Sequence, residues 1–121
     1  MKIAAIPFLV AASLTYAQPA ATEFPQDSAP LTQDALKESL AGKVFSVKTA
    51  SGPNWRWQLD ANGNFFINVG DFKDSGKWST KDSSICSEGR QIKASCNQVR
   101  ALGSDLYLKR DNGEVVKMTS Q

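Results

Sequence analysis

The fold is decided by the stretch WRWQLDANGNFFINV, residues 55–69. On both sides of its centre, large apolar side chains alternate with other residues at the two-residue period of a half-buried strand. Between the two halves lies Asn62-Gly63, a strong hairpin signal because both residue types tolerate the left-handed backbone of a tight turn. The stretch therefore predicts two antiparallel strands joined at Asn62-Gly63.

The same pattern continues to either side of this hairpin. Short alternating segments run from Val44 to Met118, and turn residues such as those at 51–54 and 112–113 separate them. Short connections place neighbouring strands antiparallel. We therefore predict a mostly β protein, a single small antiparallel β-barrel or strongly coiled sheet of about seven or eight strands.

One helix is predicted ahead of the strands, between Thr32 and Gly42. Thr32 is a favourable N-cap, and Leu31 and Leu36 are spaced to form a hydrophobic staple across the first turn. Leu36 and Leu40 share a face that must pack on the sheet, since so short a helix is not stable alone. Gly42 is expected to end the helix in the left-handed conformation.

The chain divides into three parts. Residues 1–17 resemble a secretory signal, with Lys2 before an apolar run and a small residue, Ala17, at the cleavage point. This run is shorter than the roughly 20 apolar residues that span a bilayer. Residues 18–30, rich in proline and alanine, are expected to form a flexible leader, and 31–121 the helix plus antiparallel β domain. We expect a periplasmic or secreted protein with no membrane span.

Cys86 and Cys96 are the two cysteines of the chain. An even count in an exported protein predicts a disulfide bond, here across a hairpin that reverses at Gly89-Arg90. A metal pair or a catalytic thiol is the alternative. Such sites use a second cysteine pair, a histidine or Cys-x-x-Cys spacing, and the sequence has none of these.

Composition argues against most catalytic chemistry. The chain has no histidine, which excludes Ser-His-Asp and Cys-His nucleophile activation. Its 14 Lys and Arg against 12 Asp and Glu are too balanced for a nucleic-acid binder. Asp71 and Asp74 could pair as acid and base, but nothing near them in sequence would raise one pKa, so solvated loop charges are expected. We predict no enzyme, no catalytic residue, no metal, no cofactor and no nucleic-acid partner.

Trp55, Trp57 and Trp78 are the largest apolar side chains of the chain. Trp55 and Trp57 share one face of a predicted strand, and core packing is the ordinary role of such a pair. The competing interpretation places one or more of the tryptophans on the wall of a ligand cavity at the mouth of a small barrel.

The order of several motifs resembles a group of small exported proteobacterial proteins of unknown function. The motifs are Gly42-Lys43, Gly76-Lys77-Trp78, the two cysteines and the last hairpin at Asn112-Gly113. Gly76-x-Trp78 followed by two cysteines is the most specific part, and the resemblance covers roughly residues 31–118. It implies a periplasmic single-domain β protein and brings no catalytic residues with it.

A second resemblance involves the segment Ala50-Ser51-Gly52, which leads into an aromatic strand. It is similar to a loop of the periplasmic C-type lysozyme inhibitors, which are small disulfide-bonded barrels. That family has a tyrosine and a Trp-Thr-Lys-Gly-like segment where this chain has Trp55 and Trp78-Ser79-Thr80-Lys81, without the glycine. The resemblance implies an inhibitor that reaches into an acidic cleft with Ser51 and Lys81.

The sequence thus predicts a non-enzymatic periplasmic binding or envelope-accessory protein, expected to be a monomer. Its partner would be an envelope protein or a small apolar ligand. Two alternatives are a lysozyme-inhibitor-like protein and a small apolar-ligand carrier with Trp57 on its cavity wall. The candidate binding residues are Ser51, Trp55, Trp57, Trp78 and Lys81. An open apolar cavity would favour the carrier, whereas a filled interior would favour recognition at the surface.

Overall fold

The computed structural model describes residues 20–50 and 52–121. The predicted signal sequence, residues 1–17, and the candidate residue Ser51 lie outside the described residues. The elements in chain order are β1 Ala29–Pro30, α1 Gln33–Leu40, β2 Lys43–Val47, β3 Trp55–Leu59, β4 Asn64–Val69, β5 Phe72–Lys81, β6 Ser84–Gly89, β7 Ser95–Leu102, β8 Asp105–Lys109 and β9 Val115–Ser120. Within the described ranges, no helix is long and apolar enough to cross a membrane.

Strands β2 to β9 form a closed antiparallel barrel. Each strand pairs with the next along the chain, and β9 pairs back onto β2 to complete the ring. The opening hairpin of the sequence is β3 and β4, with Trp57 opposite Ile67 in the register. The predicted mostly β, barrel-like fold with one helix ahead of it is confirmed in the described part of the chain.

Two hairpins use the same turn. In the β3–β4 turn the N–H of Gly63 donates to the carbonyl of Asp60 at 3.0 Å, and Gly63 has a φ of +93°. Gly113 takes the same place between β8 and β9, with a φ of +91° and corresponding backbone bonds. A positive φ carries no steric penalty for glycine, so Asn-Gly fixes both turns.

Helix α1 covers one end of the barrel, which we call the helix end. Its start is capped as predicted, because the Thr32 hydroxyl accepts from the N–H of Ala35 at 3.2 Å, and Gly42 follows its end with a φ of +77°. Leu36 and Leu40 are fully buried, and the helix contacts β5 and β6. The side chains that fill this end include Leu36, Leu40, Leu59, Trp78, Ile85 and Leu106. Burying the leucine face is what stabilises so short a helix.

The opposite end of the barrel, which we call the open end, carries the connections that follow β2, β4, β6 and β8. This assignment follows from the up-and-down strand order, since every second connection returns to the same end. The helix end therefore has the β3–β4 turn, and the open end has the β8–β9 turn.

The segment before the helix lies along the barrel wall. Ala29 and Pro30 pair with Ala101 and Arg100 of β7, beyond the point where the pairing of β6 with β7 stops. The guanidinium of Arg100 also lies 5.2 Å from the centroid of the Phe24 ring. The segment predicted as a flexible leader, residues 18–30, thus has contacts with the barrel through Phe24, Ala29 and Pro30. The segment gains its contacts through backbone pairing and one aromatic ring, which a composition argument does not detect.

Cys86 and Cys96 form the predicted disulfide bond. They are directly opposite each other in the β6–β7 pairing, with their Cα atoms 3.9 Å apart. Cys96 is exposed, so the bridge lies on the outer surface of the barrel. It ties the hairpin together without occupying the interior.

Candidate functional site

A cavity of about 450 Å³ opens at the open end of the barrel. Its wall comes from the inward-facing positions of strands β3 to β8 and from the connections after β6 and β8. Phe65 and Leu108 are the most buried of its lining residues, at 1% and 3% exposed. The interior of the barrel is therefore filled at the helix end and hollow at the other.

One side of the cavity is apolar. Its side chains come mainly from the β3–β4 hairpin: Trp55, Trp57, Ile67, Val69, Phe72 and Ile92. The rings of Trp55 and Trp57 meet edge to face, with centroids 6.5 Å apart and an interplanar angle of 88°. Trp57 is only 6% exposed, whereas Trp55 is half-buried nearer the mouth. The strand alternation that decided the fold thus also builds this wall.

The three tryptophans have different roles. Trp57 belongs both to the buried core and to the cavity wall, and Trp55 packs against that core. Trp78 is buried at the helix end, where its Nε1 donates to the carbonyl of Asp60 at 2.9 Å. The indole Nε1 of Trp57 is also buried but has no hydrogen-bond partner among the described residues. Trp78 thus has a core role alone, whereas Trp55 and Trp57 contribute to the core and also line the cavity.

The other side of the cavity is polar and comes from β6 and β7. Ser87, Ser95 and Asn97 face the interior there. The Ser95 hydroxyl donates to Oδ1 of Asn97 at 3.3 Å, and Nδ2 of Asn97 donates to Oδ1 of Asp111 at 2.8 Å and to the Lys109 carbonyl at 3.0 Å. Asn97 therefore ties the polar wall to the turn after β8.

Arg110 forms part of the cavity rim. Its guanidinium lies 4.9 Å from the centroid of the Trp55 ring and forms a salt bridge with Glu114. The buried Glu114 carboxylate also accepts from the N–H of Ala50 at 2.8 Å. This Ala50 bond is the largest influence on the carboxyl, and together with Arg110 it outweighs burial and lowers the pKa of Glu114. The rim is thereby fastened to the connection after β2.

Asp74 is a second buried carboxylate near the open end. It accepts from the backbone N–H groups of Arg90 and Gln91 at 3.1 Å and of Ile92 at 2.9 Å. Burial alone would raise its pKa, but these bonds outweigh that effect and lower it. The prediction that Asp74 is a solvated loop charge is wrong, because it lies within β5 and faces inward, while Asp71 is exposed.

Lys81 lies apart from the cavity. Lys81 is exposed at the end of β5, next to the helix end. Ala50 and Gly52, which flank position 51, belong to the connection after β2 at the open end. Lys81 is therefore at the opposite end of the barrel from Ala50 and Gly52. Within residues 20–50 and 52–121, no group of three or more His, Cys, Asp or Glu side chains could hold a metal ion.

Sequence reasoning missed Asp74, Ile92, Arg110 and the polar wall. One signal for Asp74 was present, because it precedes Trp78 by four residues on a strand and must share its inward face. Arg110 gave no such signal, since its contact with Trp55 joins two segments distant in sequence.

Comparison with known proteins identified no relative. No protein-family model, curated protein or solved structure matches the chain. A barrel of this kind supports many unrelated functions, so function has to be inferred from the cavity and its chemistry.

Proposed function

We propose that this protein is a non-enzymatic binding protein that holds a small apolar molecule in the open end of its barrel. The observation that carries the proposal is the cavity of about 450 Å³ with Trp55, Trp57 and Phe72 on its apolar side. Ligand sites are typically concave, mainly apolar and roughly 300–1,000 Å³ in volume. Helix α1 covers the other end, so the ligand enters through the open end.

The charged groups around the cavity support binding rather than catalysis. Glu114 is engaged by Arg110 and Ala50, and Asp74 by the turn after β6. Asp111 accepts from Asn97. A general acid or base needs a pKa near the working pH, whereas the pKa values of Asp74 and Glu114 are both lowered. These carboxylates hold the cavity walls in place.

We further propose that the protein works in the periplasm or is secreted. The disulfide between Cys86 and Cys96 suits an oxidising compartment, and the first residues have the order of a secretory signal. Expression of the full chain followed by cell fractionation tests this. The expected product is extracytoplasmic and begins after Ala17. Retention of residues 1–17 on a cytoplasmic product would contradict it.

Titration with the neutral apolar probe N-phenyl-1-naphthylamine tests the binding function. We expect saturable binding with one site per chain, followed by the rise in probe fluorescence. Val69→Trp places a larger side chain on the cavity wall and should weaken binding at least about tenfold, since overfilling a packed site displaces its contents. Binding should not change in Phe66→Trp, which alters the exposed outer face of the same strand.

Two results would contradict the proposed function. One is the absence of saturable probe binding to the folded protein. The other is equal weakening by Val69→Trp and Phe66→Trp, which would place the probe outside the cavity. Circular dichroism of each variant shows that the barrel is intact.

A further inference from the structure

A groove of about 370 Å³, which we call the outer groove, lies on the outer wall of the barrel where β4, β5 and β6 run side by side. Phe66 lines it on β4, and Arg90 lines it just after β6. Ser75 lies between them, because it is opposite Phe66 in the register and its carbonyl accepts from the N–H of Arg90 at 3.1 Å. A small side chain between two large ones leaves a depression that is open to solvent.

Phe66 is the most exposed large apolar side chain of the described residues, at 47%. It points outward because its neighbours Phe65 and Ile67 are buried in the interior. The cation–aromatic contacts within residues 20–50 and 52–121 involve the rings of Phe24 and Trp55, so no cation from this part of the chain covers the Phe66 ring. A single exposed ring is common on protein surfaces, so the inference depends on the charges around it.

Positive charge is concentrated around Phe66. Arg56 on β3 and Lys73 and Lys77 on β5 occupy the diagonal positions next to it on the two neighbouring strands. Residues in this relation lie about 7–8 Å apart, which is within reach of long side chains. Arg90 adds a fourth cation at the groove itself.

These four cations are exposed and are not neutralised by carboxylates of the chain. Neither of the two ion pairs among the described residues includes any of them. Asp74 faces inward, so Glu88 is the only acid at the outward positions of β3 to β6. Glu88 is opposite Lys77 in the register and exposed. The groove and its surroundings therefore carry an excess of positive charge around an exposed aromatic ring.

The shape of the site favours a polypeptide segment over a membrane surface. The groove is concave and lies along the middle of the strands, and Glu88 is part of its lining. A flat anionic bilayer would bring its charge against Glu88. A peptide can instead place its acidic side chains beside the cations and direct other residues towards Glu88.

We propose that the outer groove docks an acidic segment of a partner protein that carries one large apolar side chain. The apolar side chain lies against Phe66, and flanking Asp or Glu side chains pair with the surrounding cations. Buried aromatic contacts and complementary charges are ordinary sources of affinity and specificity at protein interfaces. The proposal goes beyond the proposed function, because it uses the outer wall and does not depend on a ligand in the cavity.

NMR of the ¹⁵N-labelled folded protein with an unlabelled peptide tests the proposal. The peptide has a central phenylalanine flanked on both sides by alternating Glu and Asp. We expect saturable shifts of the backbone resonances of Phe66, Ser75 and Arg90. The affinity should fall at least about tenfold between about 50 and 300 mM salt, since salt screens exposed charges. A peptide with Lys in place of every acid, and one with Ser in place of the phenylalanine, should each bind at least about fivefold more weakly.

Variants of the groove provide the second measurement. Phe66→Thr removes the ring but keeps a residue suited to a strand, and it should weaken peptide binding about fivefold. Lys77→Gln and Arg90→Gln should each weaken it about threefold, as the loss of one exposed ion pair allows. Lys109→Gln is the matched control, because it removes an exposed cation from β8, and it should leave the affinity unchanged. The melting temperature of each variant shows that the barrel is intact.

Several results would overturn the proposal. These are the absence of saturable shifts, shifts confined to another part of the barrel, and equal binding of the acidic and the Lys-containing peptides. Unchanged peptide binding by Phe66→Thr would also overturn it. Binding to vesicles that contain phosphatidylglycerol, without binding to the peptide, overturns it in favour of a membrane surface. Failure of N-phenyl-1-naphthylamine to bind overturns the cavity function alone, so the two proposals fail separately.

Discussion

The backbone N–H of Ile92 donates a hydrogen bond of 2.9 Å to Oδ2 of Asp74, and the side chain of the same isoleucine lies on the cavity wall. Gln91 and Arg90 donate to the same carboxylate. A buried anion on β5 thus holds the turn after β6 and determines where one part of the cavity wall lies. Asp74, which the sequence suggested to be a solvated charge, is therefore part of the support of the site.

Asp74→Asn is expected to lower both stability and binding. An amide offers one carbonyl oxygen in place of two charged ones, so the N–H groups of residues 90–92 lose part of their acceptor. The melting temperature should fall by several degrees, and N-phenyl-1-naphthylamine should bind less tightly as Ile92 shifts. Asp71→Asn, at an exposed position nearby, is the control and should change neither value. Unchanged melting of Asp74→Asn would contradict the anchoring role.

The same carboxylate predicts how stability depends on pH. Burial raises the pKa of Asp74, but the N–H donors of Ile92, Gln91, Ser75 and Arg90 lower it by more, so it is lower in the folded protein than in the unfolded chain. The stabilisation is therefore complete above the unfolded pKa of about 4 and is lost as the pH falls through the folded pKa. Urea denaturation between neutral pH and about pH 3 should show the difference between wild type and Asp74→Asn shrinking below about pH 4. A constant difference would be inconsistent with this linkage.

Removing the disulfide should destabilise the protein but leave the cavity intact. It closes a loop with a sequence separation of 10, which is worth roughly 3 kcal/mol in the chain-entropy model. Replacing Cys86 and Cys96 together by serine should lower the free energy of unfolding by about that amount. Because the bridge lies on the outer surface, the variant should still bind the probe. The native chain should be two hydrogen atoms lighter than its reduced form, and free thiols would disprove the bond.

The parts of the fold that could be predicted from the sequence are those formed by residues close together in the chain. The cap at Thr32, the turns at Gly63 and Gly113 and the pairing of Cys86 with Cys96 each depend on residues close together in the chain. Alternation of apolar residues then orders the strands, because one face of each must be buried.

The rest of the fold and most of the site depend on contacts distant in sequence. Strand β5 begins at Phe72, six residues before Trp78. Its first half lacks the apolar alternation of a strand, because the inward positions there include Asp74 and Gly76. Gly76 is needed there, since a Cβ at this position would lie 2.0 Å from the carbonyl oxygen of Glu88. A buried anion and a close backbone approach both break the alternation that marks a strand.

Leu36→Ala is expected to destabilise the protein without weakening binding. Leu36 is fully buried where α1 covers the helix end, and truncating such a side chain costs about 2–5 kcal/mol. The cavity lies at the opposite end of the barrel, so the affinity for the probe should be unchanged while the protein remains folded. Lys37→Ala, on the exposed side of the same helix, is the control. A near-neutral Leu36→Ala in urea denaturation would mean that the helix does not seal the barrel.

Trp57 and Trp78 offer the sharpest comparison between core and site, since they are 6% and 5% exposed. Trp78→Phe removes the hydrogen bond from Nε1 to the Asp60 carbonyl, whereas Trp57→Phe removes a buried donor that has no partner among the described residues. The two changes remove the same atoms, so the lost packing is similar. Trp78→Phe should therefore lower the free energy of unfolding by about 1–2 kcal/mol more than Trp57→Phe. Equal losses in urea denaturation would show that Nε1 of Trp57 is already satisfied in the folded protein.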